Sequence, residues 1–148
     1  MPVRLIDSCV AIEIIRHHPY YVEKFLELPP DTCAISMLTY VELTGGLVHN
    51  PSRERSRRVH EFLNLVSVLA FDRTAGDCAA MVRGTMAKHG RTAGDFDEAI
   101  AGHALSHKLI MVSKDGDFID AIATLIPGMQ VEPWLSPDDD AKRKRKPR

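Results

Sequence analysis

The 148-residue sequence predicts an α/β fold: a sandwich of helices around a mainly parallel sheet. Two observations predict it. Short strand-like runs alternate with amphipathic helical stretches along the whole chain. One of those runs, Leu109 to Val112, is apolar throughout, as a strand buried on both faces must be.

The first strand is expected over Val3 to Ile6, ending at Asp7. Ser8 reads as a helix N-cap, and Val10, Ala11, Ile14 and Ile15 recur at helical spacing, so a helix follows to His18, where Pro19 stops it. Tyr20 to Leu28 is a second helix, ended by Pro29-Pro30, and Thr32 to Ile35 a second strand. Ser36 caps a third helix, Met37 to Val48. After the Asn50-Pro51-Ser52 turn, a fourth runs from Arg53 to about Leu65 with Val59, Phe62 and Leu63 inward. Val66 to Phe71 is the third strand. Asp72 caps a fifth helix carrying Ala75, Cys78, Ala79, Val82 and Met86 on one stripe. Beyond a Gly90 to Gly94 loop come a helix from Phe96 to His107, the strand Leu109 to Val112, a short helix Ile119 to Leu125 and an edge strand Met129 to Trp134. Residues 1–135 form one domain on this reading, and 136–148 a basic, disordered tail.

Composition narrows the class. The hydrophobic fraction of 45% is that of an ordinary globular protein. No apolar run approaches a membrane span, and the opening residues lack the pattern of an export leader, so a cytoplasmic location is expected. Cys9, Cys33 and Cys78 are scattered and odd in number, which suits reduced thiols better than a disulfide framework or zinc site. The net charge of −1 hides an asymmetry: residues 1–137 hold 13 bases and 17 acids, while the last eleven hold six bases and three acids. Such a body does not hold nucleic acid by charge alone, but it can gather carboxylates around a cation.

Open α/β sheets keep their sites beyond the carboxyl ends of the strands. Asp7 stands at one such end, and Ser113-Lys114-Asp115 at another. On a helical wheel Asp97 falls in the middle of the stripe formed by Ile100, Ala101 and Ala104, with Glu98 at its shoulder; an inward acid needs a partner. Glu42 shares its helix face with Leu38, Thr39, Gly45 and Gly46, and the glycines leave a bare surface beside it. Oxygen donors of this kind suit Mg²⁺ or Mn²⁺, ions that can turn water into hydroxide and hold an in-line displacement at phosphorus. No Ser or Cys nucleophile flanked by a base is evident. A phosphotransferase using Asp7 as nucleophile wants a second acid two residues on, where Cys9 stands.

Four segments together carry a resemblance: Leu5-Ile6-Asp7-Ser8; Ile35-Ser36 through Thr39-Tyr40-Val41-Glu42-Leu43 with Gly46; Asp97-Glu98-Ala99-Ile100-Ala101-Gly102-His103-Ala104-Leu105; and Met111-Val112-Ser113-Lys114-Asp115-Gly116-Asp117-Phe118. The chain resembles the PIN domain over about residues 3 to 134, and within it the VapC-type ribonuclease toxins of type II toxin–antitoxin systems. The resemblance implies a PIN-like three-layer α/β/α sandwich and a metal-dependent endoribonuclease that cuts structured RNA such as tRNA or rRNA. It also implies a cognate VapB-type antitoxin, a homodimer and a larger heteromer with the antitoxin. Asp7, Glu42, Asp97 and Asp115 fall on the family's acidic positions. Asp7 and Asp97 would ligate Mg²⁺ or Mn²⁺ directly, and Glu42 and Asp115 through water or a second ion. Asp117 is the alternate fourth acid, and Ser113 matches a small hydroxyl residue that orders the site. Cys9 departs from the family's usual Asn or Ser. That departure leaves open a second reading, a catalytically silent PIN-like RNA-binding or regulatory module.

Other features read more blandly. His103 and His107, four apart, are expected as surface histidines, since the metalloprotease pattern would need Glu where Ala104 stands. Arg53, Arg55, Arg57 and Arg58 form either an RNA or antitoxin contact or a solvated face paired with Glu54 and Glu61. Arg83, Lys88, Arg91 and Lys114 are candidates to neutralise phosphates. Ile12, off its helix's apolar stripe beside Arg16, is a candidate exposed contact.

Overall fold

The computed structural model describes residues 1–145. Five strands, β1 (Arg4–Ile6), β2 (Cys33–Ser36), β3 (Ser67–Leu69), β4 (Ile110–Ser113) and β5 (Gln130–Pro133), form one sheet in the order β3-β2-β1-β4-β5. Every pairing is parallel, with Leu5 opposite Ala34 on one side and Met111 on the other. β1 and β4, in the middle, are the strands that end at Asp7 and Ser113.

The helices are α1 (Ser8–Ile15), α2 (Pro19–Leu26), α3 (Met37–His49), α4 (Arg53–Leu63), α5 (Arg73–Lys88), α6 (Asp95–Ser106), α7 (Gly116–Leu125) and α8 (Pro137–Arg145). Strand alternation sorts most of them into two layers. Leu5, Ala34 and Met111 point to a core shared with α5, α6 and α7 through Val82, Met86, Ile100, Ala104, Ile119 and Ile122. Ile6, Cys33, Ile35 and Val112 point to the opposite core, with Val10, Ile14, Tyr21, Phe25, Leu43, Val59 and Phe62 from α1 to α4. Both faces of the central strands are therefore apolar, and the expected three-layer sandwich follows. Burying each such large side chain contributes roughly 1.5–3 kcal/mol. Where α6 crosses α5, a Cβ on Gly102 would collide with the Ala79 backbone, so this contact requires glycine.

Several boundaries differ from expectation for local reasons. α1 stops at Ile15 because His17 adopts φ 63° and His18, before Pro19, is extended. α7 begins three residues earlier than the apolar pattern suggested, because Asp115 caps it. α3 runs on through Gly45 and Gly46 to His49. Two readings are corrected. The segment expected to be a disordered tail is a helix over Pro137–Arg145, with residues 146–148 outside the described part. His103 is no surface histidine: it is fully buried, with Nδ1 2.9 Å from Ser36 Oγ and its ring edge-on to Phe71, while His107 stays exposed. Burial lowers the pKa of His103 and favours the neutral ring. The basic start of α4 is largely a solvated face, Arg57 and Arg58 pairing with Glu54 and Arg57 also with Glu61 at 2.6–2.9 Å.

Candidate active site

The acids gather where a parallel sheet opens, at the carboxyl ends of β1 and β4. Asp7, not Ser8, is the N-cap of α1: its backbone is extended and its own Oδ1 accepts the Ser8 N–H at 2.8 Å. Its N–H donates to Val112 O at 2.9 Å, which carries the β1–β4 ladder up to the site. Asp7 Oδ2 accepts the Ser113 hydroxyl at 2.9 Å and, more weakly, the Cys9 thiol at 3.4 Å. Ser113 Oγ in turn accepts the Asp115 N–H at 3.1 Å, so one hydroxyl ties two acids together.

Asp7 is only 2% exposed. Burial, helped by the charge on Asp97, pushes its carboxyl up to about 6 against the opposing hydrogen bonds from Ser113, Cys9 and Ser8. Asp97, in the first turn of α6, is raised as well, by its own partial burial and by Asp115, while its hydrogen bond to the Gly94 backbone opposes the rise. Asp7, Asp97 and Asp115 thus form an electrostatic series in which each neighbour opposes the ionisation of the next. The wheel placed Asp97 too centrally: Glu98 is the buried residue of the pair, and Asp97 stands half-exposed.

Glu42 joins through a different route. Ser8 Oγ donates to Glu42 Oε1 at 2.7 Å and, having a single proton, accepts from the buried Thr39 Oγ1 at 3.0 Å. Glu42 is exposed, on the rim of a groove of about 270 Å³ between α1, α3 and α4 whose apolar lining, Ile12, Ile15, Leu43 and Leu47, is edged by Arg16, Arg55 and Arg58. Ile12 is half-buried there rather than free on the surface.

Asp115 and Asp117 separate cleanly. Asp115 Oδ1 caps α7 by accepting the Phe118 N–H at 3.2 Å, and its charge bears on Asp97. Asp117 turns to α8 and pairs with Arg143 at 3.1 Å. Cys9, the departure from the family's usual Asn or Ser, still offers Asp7 a weak donor. Burial first, then Asp7, pushes its thiol up to about 12, so it remains a neutral S–H donor beside Asp7 and Ser113.

Among the described residues, no three His, Cys, Asp or Glu side chains close on a point tightly enough to cage a metal. The donor set fits a hard ion that keeps most of its water and takes only one or two carboxylates directly, as Mg²⁺ does. Mutual repulsion across Asp7, Asp97 and Asp115, with a buried carboxyl pushed up to about 6, is what a cation would relieve.

Parallel sheet order, apolar faces and acids at the strand ends define a class, and the chain belongs to it: the sequence model of the PIN domain family matches residues 4–123. Within that family it is similar to the tRNA(fMet)-specific endonuclease VapC of Shigella flexneri, 30% identical over 131 residues, 88% of this chain and 96% of the relative. It is also similar to Ribonuclease VapC2 of Haemophilus influenzae, 26% identical over 112 residues, 75% of this chain and 85% of the relative. Among solved structures, DNA-bound VapBC from Salmonella typhimurium superposes with a TM-score of 0.76 at 28% identity, covering 91% of this chain and all of that one. No described helix is long and apolar enough to cross a membrane.

Proposed function

We propose that this chain is a VapC-type endoribonuclease toxin that hydrolyses phosphodiester bonds in structured RNA such as tRNA or rRNA with the help of Mg²⁺ or Mn²⁺, and that a VapB-type antitoxin neutralises it. The observation that carries this reading is Asp7, a buried carboxyl at the open end of a parallel sheet, held there by Ser113, Cys9 and the Ser8 N–H and raised by its burial and by the charge on Asp97. The similarity to VapC endonucleases and VapBC complexes agrees with it.

Asp7 and Asp97 would hold the ion, with Glu42 and Asp115 acting through water or a second ion. When bound, such an ion supplies Lewis acidity, acidifying water and offsetting charge at the phosphodiester. Ser113 and Cys9 fix the Asp7 carboxylate through Oδ2, the Ser8 N–H fixes Oδ1, and the Ser8 hydroxyl orients Glu42. Holding these oxygens before RNA arrives removes reorganisation from the reaction. The groove beside Glu42, apolar on its floor and edged by Arg16, Arg55 and Arg58, suits an antitoxin segment with an apolar face and acidic flanks, which would also bar RNA from that acid. Met37, Tyr40, Val41 and Val48, all exposed on α3, offer a surface for a second copy. A cytoplasmic site of action fits this reading.

The test is RNA cleavage by purified, antitoxin-free protein titrated with Mg²⁺ or Mn²⁺. Wild type should cleave only with the ion, and Asp7→Asn and Asp97→Asn should not cleave while keeping the wild-type circular dichroism spectrum. Full activity in both variants would overturn the reading.

A further inference from the structure

α8 lies beyond the residues matched by the PIN domain model, yet it is fastened to the body at two points. Asp139 Oδ2 accepts the hydroxyl of Tyr21, a fully buried residue, at 2.6 Å and that of Ser136 at 2.8 Å; Lys114 Nζ approaches it at 3.5 Å. One helical turn on, Arg143 pairs with Asp117 at 3.1 Å and with Asp120 at 2.6 Å. Its guanidinium lies against the first residue of α7, where a Cβ on Gly116 would stand 2.5 Å from Nη1. Lys114 and Gly116 are the two neighbours of Asp115, so α8 is fastened on either side of a site acid and lays Arg143 over the start of α7.

Charge says what that half is for. The pocket is lined with carboxylates and the body around it is net acidic, so a polyanion meets repulsion on approach. Lys142, Arg143, Lys144 and Arg145 are four consecutive bases, so every face of the helix end carries one. Lys144 pairs with Asp140 within the helix, whereas Lys142 and Arg145 make no ion pair among the described residues. Arg143's partners are 73% and 65% exposed, and solvent-screened pairs of that kind are weak, so a phosphate can displace them. A helix stabilised only by its own dipole would explain acids at 138–140 and bases at 142–145. It would not explain a buried tyrosine holding the helix against the site.

We propose that α8 is a docked substrate arm: Lys142, Arg143 and Arg145 hold the RNA backbone at the rim of the acidic pocket, and the Tyr21–Asp139 clamp aims them there. This rests on the ribonuclease reading, and the test separates the two. RNA binding is measured in EDTA, without cleavage, as a function of salt, and cleavage by wild type is scored apart. Losing two phosphate contacts in Lys142→Gln/Arg143→Gln should weaken binding about tenfold and flatten the log–log salt slope by roughly 1.4–1.8. Lys108→Gln removes a charge just before β4, at the end of the strands away from the acids, and should change neither. Tyr21→Phe, which takes the buried hydroxyl from Asp139 and keeps every charge, should weaken binding severalfold. Wild type that cleaves RNA while Lys142→Gln/Arg143→Gln binds it as Lys108→Gln does would overturn the arm alone. Weakening by the double variant with none by Tyr21→Phe would overturn the aiming role of the Tyr21–Asp139 clamp. Wild type that does not cleave under any ion condition would overturn the reading beneath.

Discussion

The inner and outer halves of the acidic pocket are built in opposite ways. Asp7 is buried, receives three donors on its two oxygens and is pushed up to about 6. Glu42 and Asp115 stand in solvent, each held by a single side-chain hydrogen bond. The inner acid is placed accurately at a cost in stability. The outer acids cost little and are correspondingly easy to move. Substitutions should therefore divide into those that trade stability against activity and those that touch activity alone.

The largest effect is expected at Asp7. Asp7→Asn should lower cleavage by on the order of 10³-fold or more, since it removes a charge that the surrounding groups are arranged to hold. It should also stabilise the metal-free protein at neutral pH. The sign follows from the direction of the shift. Between about pH 4 and 6 the folded protein keeps the Asp7 proton while the unfolded chain loses it, so stability falls as pH rises through that window. Above it the full penalty, on the order of 2–3 kcal/mol, is present. Urea unfolding in EDTA at pH 5 and 7.5 should show a smaller drop in Asp7→Asn than in wild type; parallel drops would place the strain elsewhere. Asp97→Asn should match the loss of cleavage and let Asp7 titrate lower, observable in its carboxyl NMR shift.

Next comes Ser113→Ala. It takes a donor from Asp7 Oδ2 and an acceptor from the Asp115 N–H, so one change loosens both halves. A loss of about 10–100-fold is expected, the usual range for groups that orient a metal's ligands. The Asp7 carboxyl should rise further. Cys9→Ser keeps a donor near Oδ2 and should stay within a few-fold of wild type, whereas Cys9→Ala should fall towards Ser113→Ala. If Cys9→Ala matches wild type in activity and in Asp7 titration, the thiol has no part in holding the site.

What the sequence could reveal follows the same division. Asp7, Ser113 and Asp115 were legible because they follow the two central strands directly, and a parallel sheet opens at those ends whatever else the chain does. Residues whose surroundings come from afar were not. His103 looks like an exposed partner of His107 until the end of β2 brings Ser36 to its ring, 67 residues away in sequence. The segment Pro137–Arg145 is polar enough to read as disordered; Tyr21, 118 residues upstream of Asp139, and Asp117 and Asp120 of α7 make it a docked helix. The wheel misjudged Asp97 against Glu98 because a helix buried on more than one side, with α5 packed onto Gly102, has no single inward stripe.

The smallest effect sharpens the contrast between Asp115 and Asp117, two residues apart and alike in type. Asp115 caps α7, loads charge onto Asp97 and is bound through its N–H to the hydroxyl that holds Asp7. Asp117 points to Arg143 in an ion pair exposed enough to be worth less than about 1 kcal/mol. Asp115→Asn keeps a side-chain oxygen to cap the helix, so its effect should be on chemistry: a cleavage loss of about tenfold or more, with a higher Mn²⁺ concentration needed for half-maximal rate. Asp117→Asn should change the rate by less than about threefold and leave that concentration alone. Its neutral side chain releases Arg143 for phosphate and should, if anything, lower KM. A reversal of the two, with Asp117→Asn the more damaging and the more ion-dependent, would mean that α7 turns in the active complex and that Asp117 is the fourth acid.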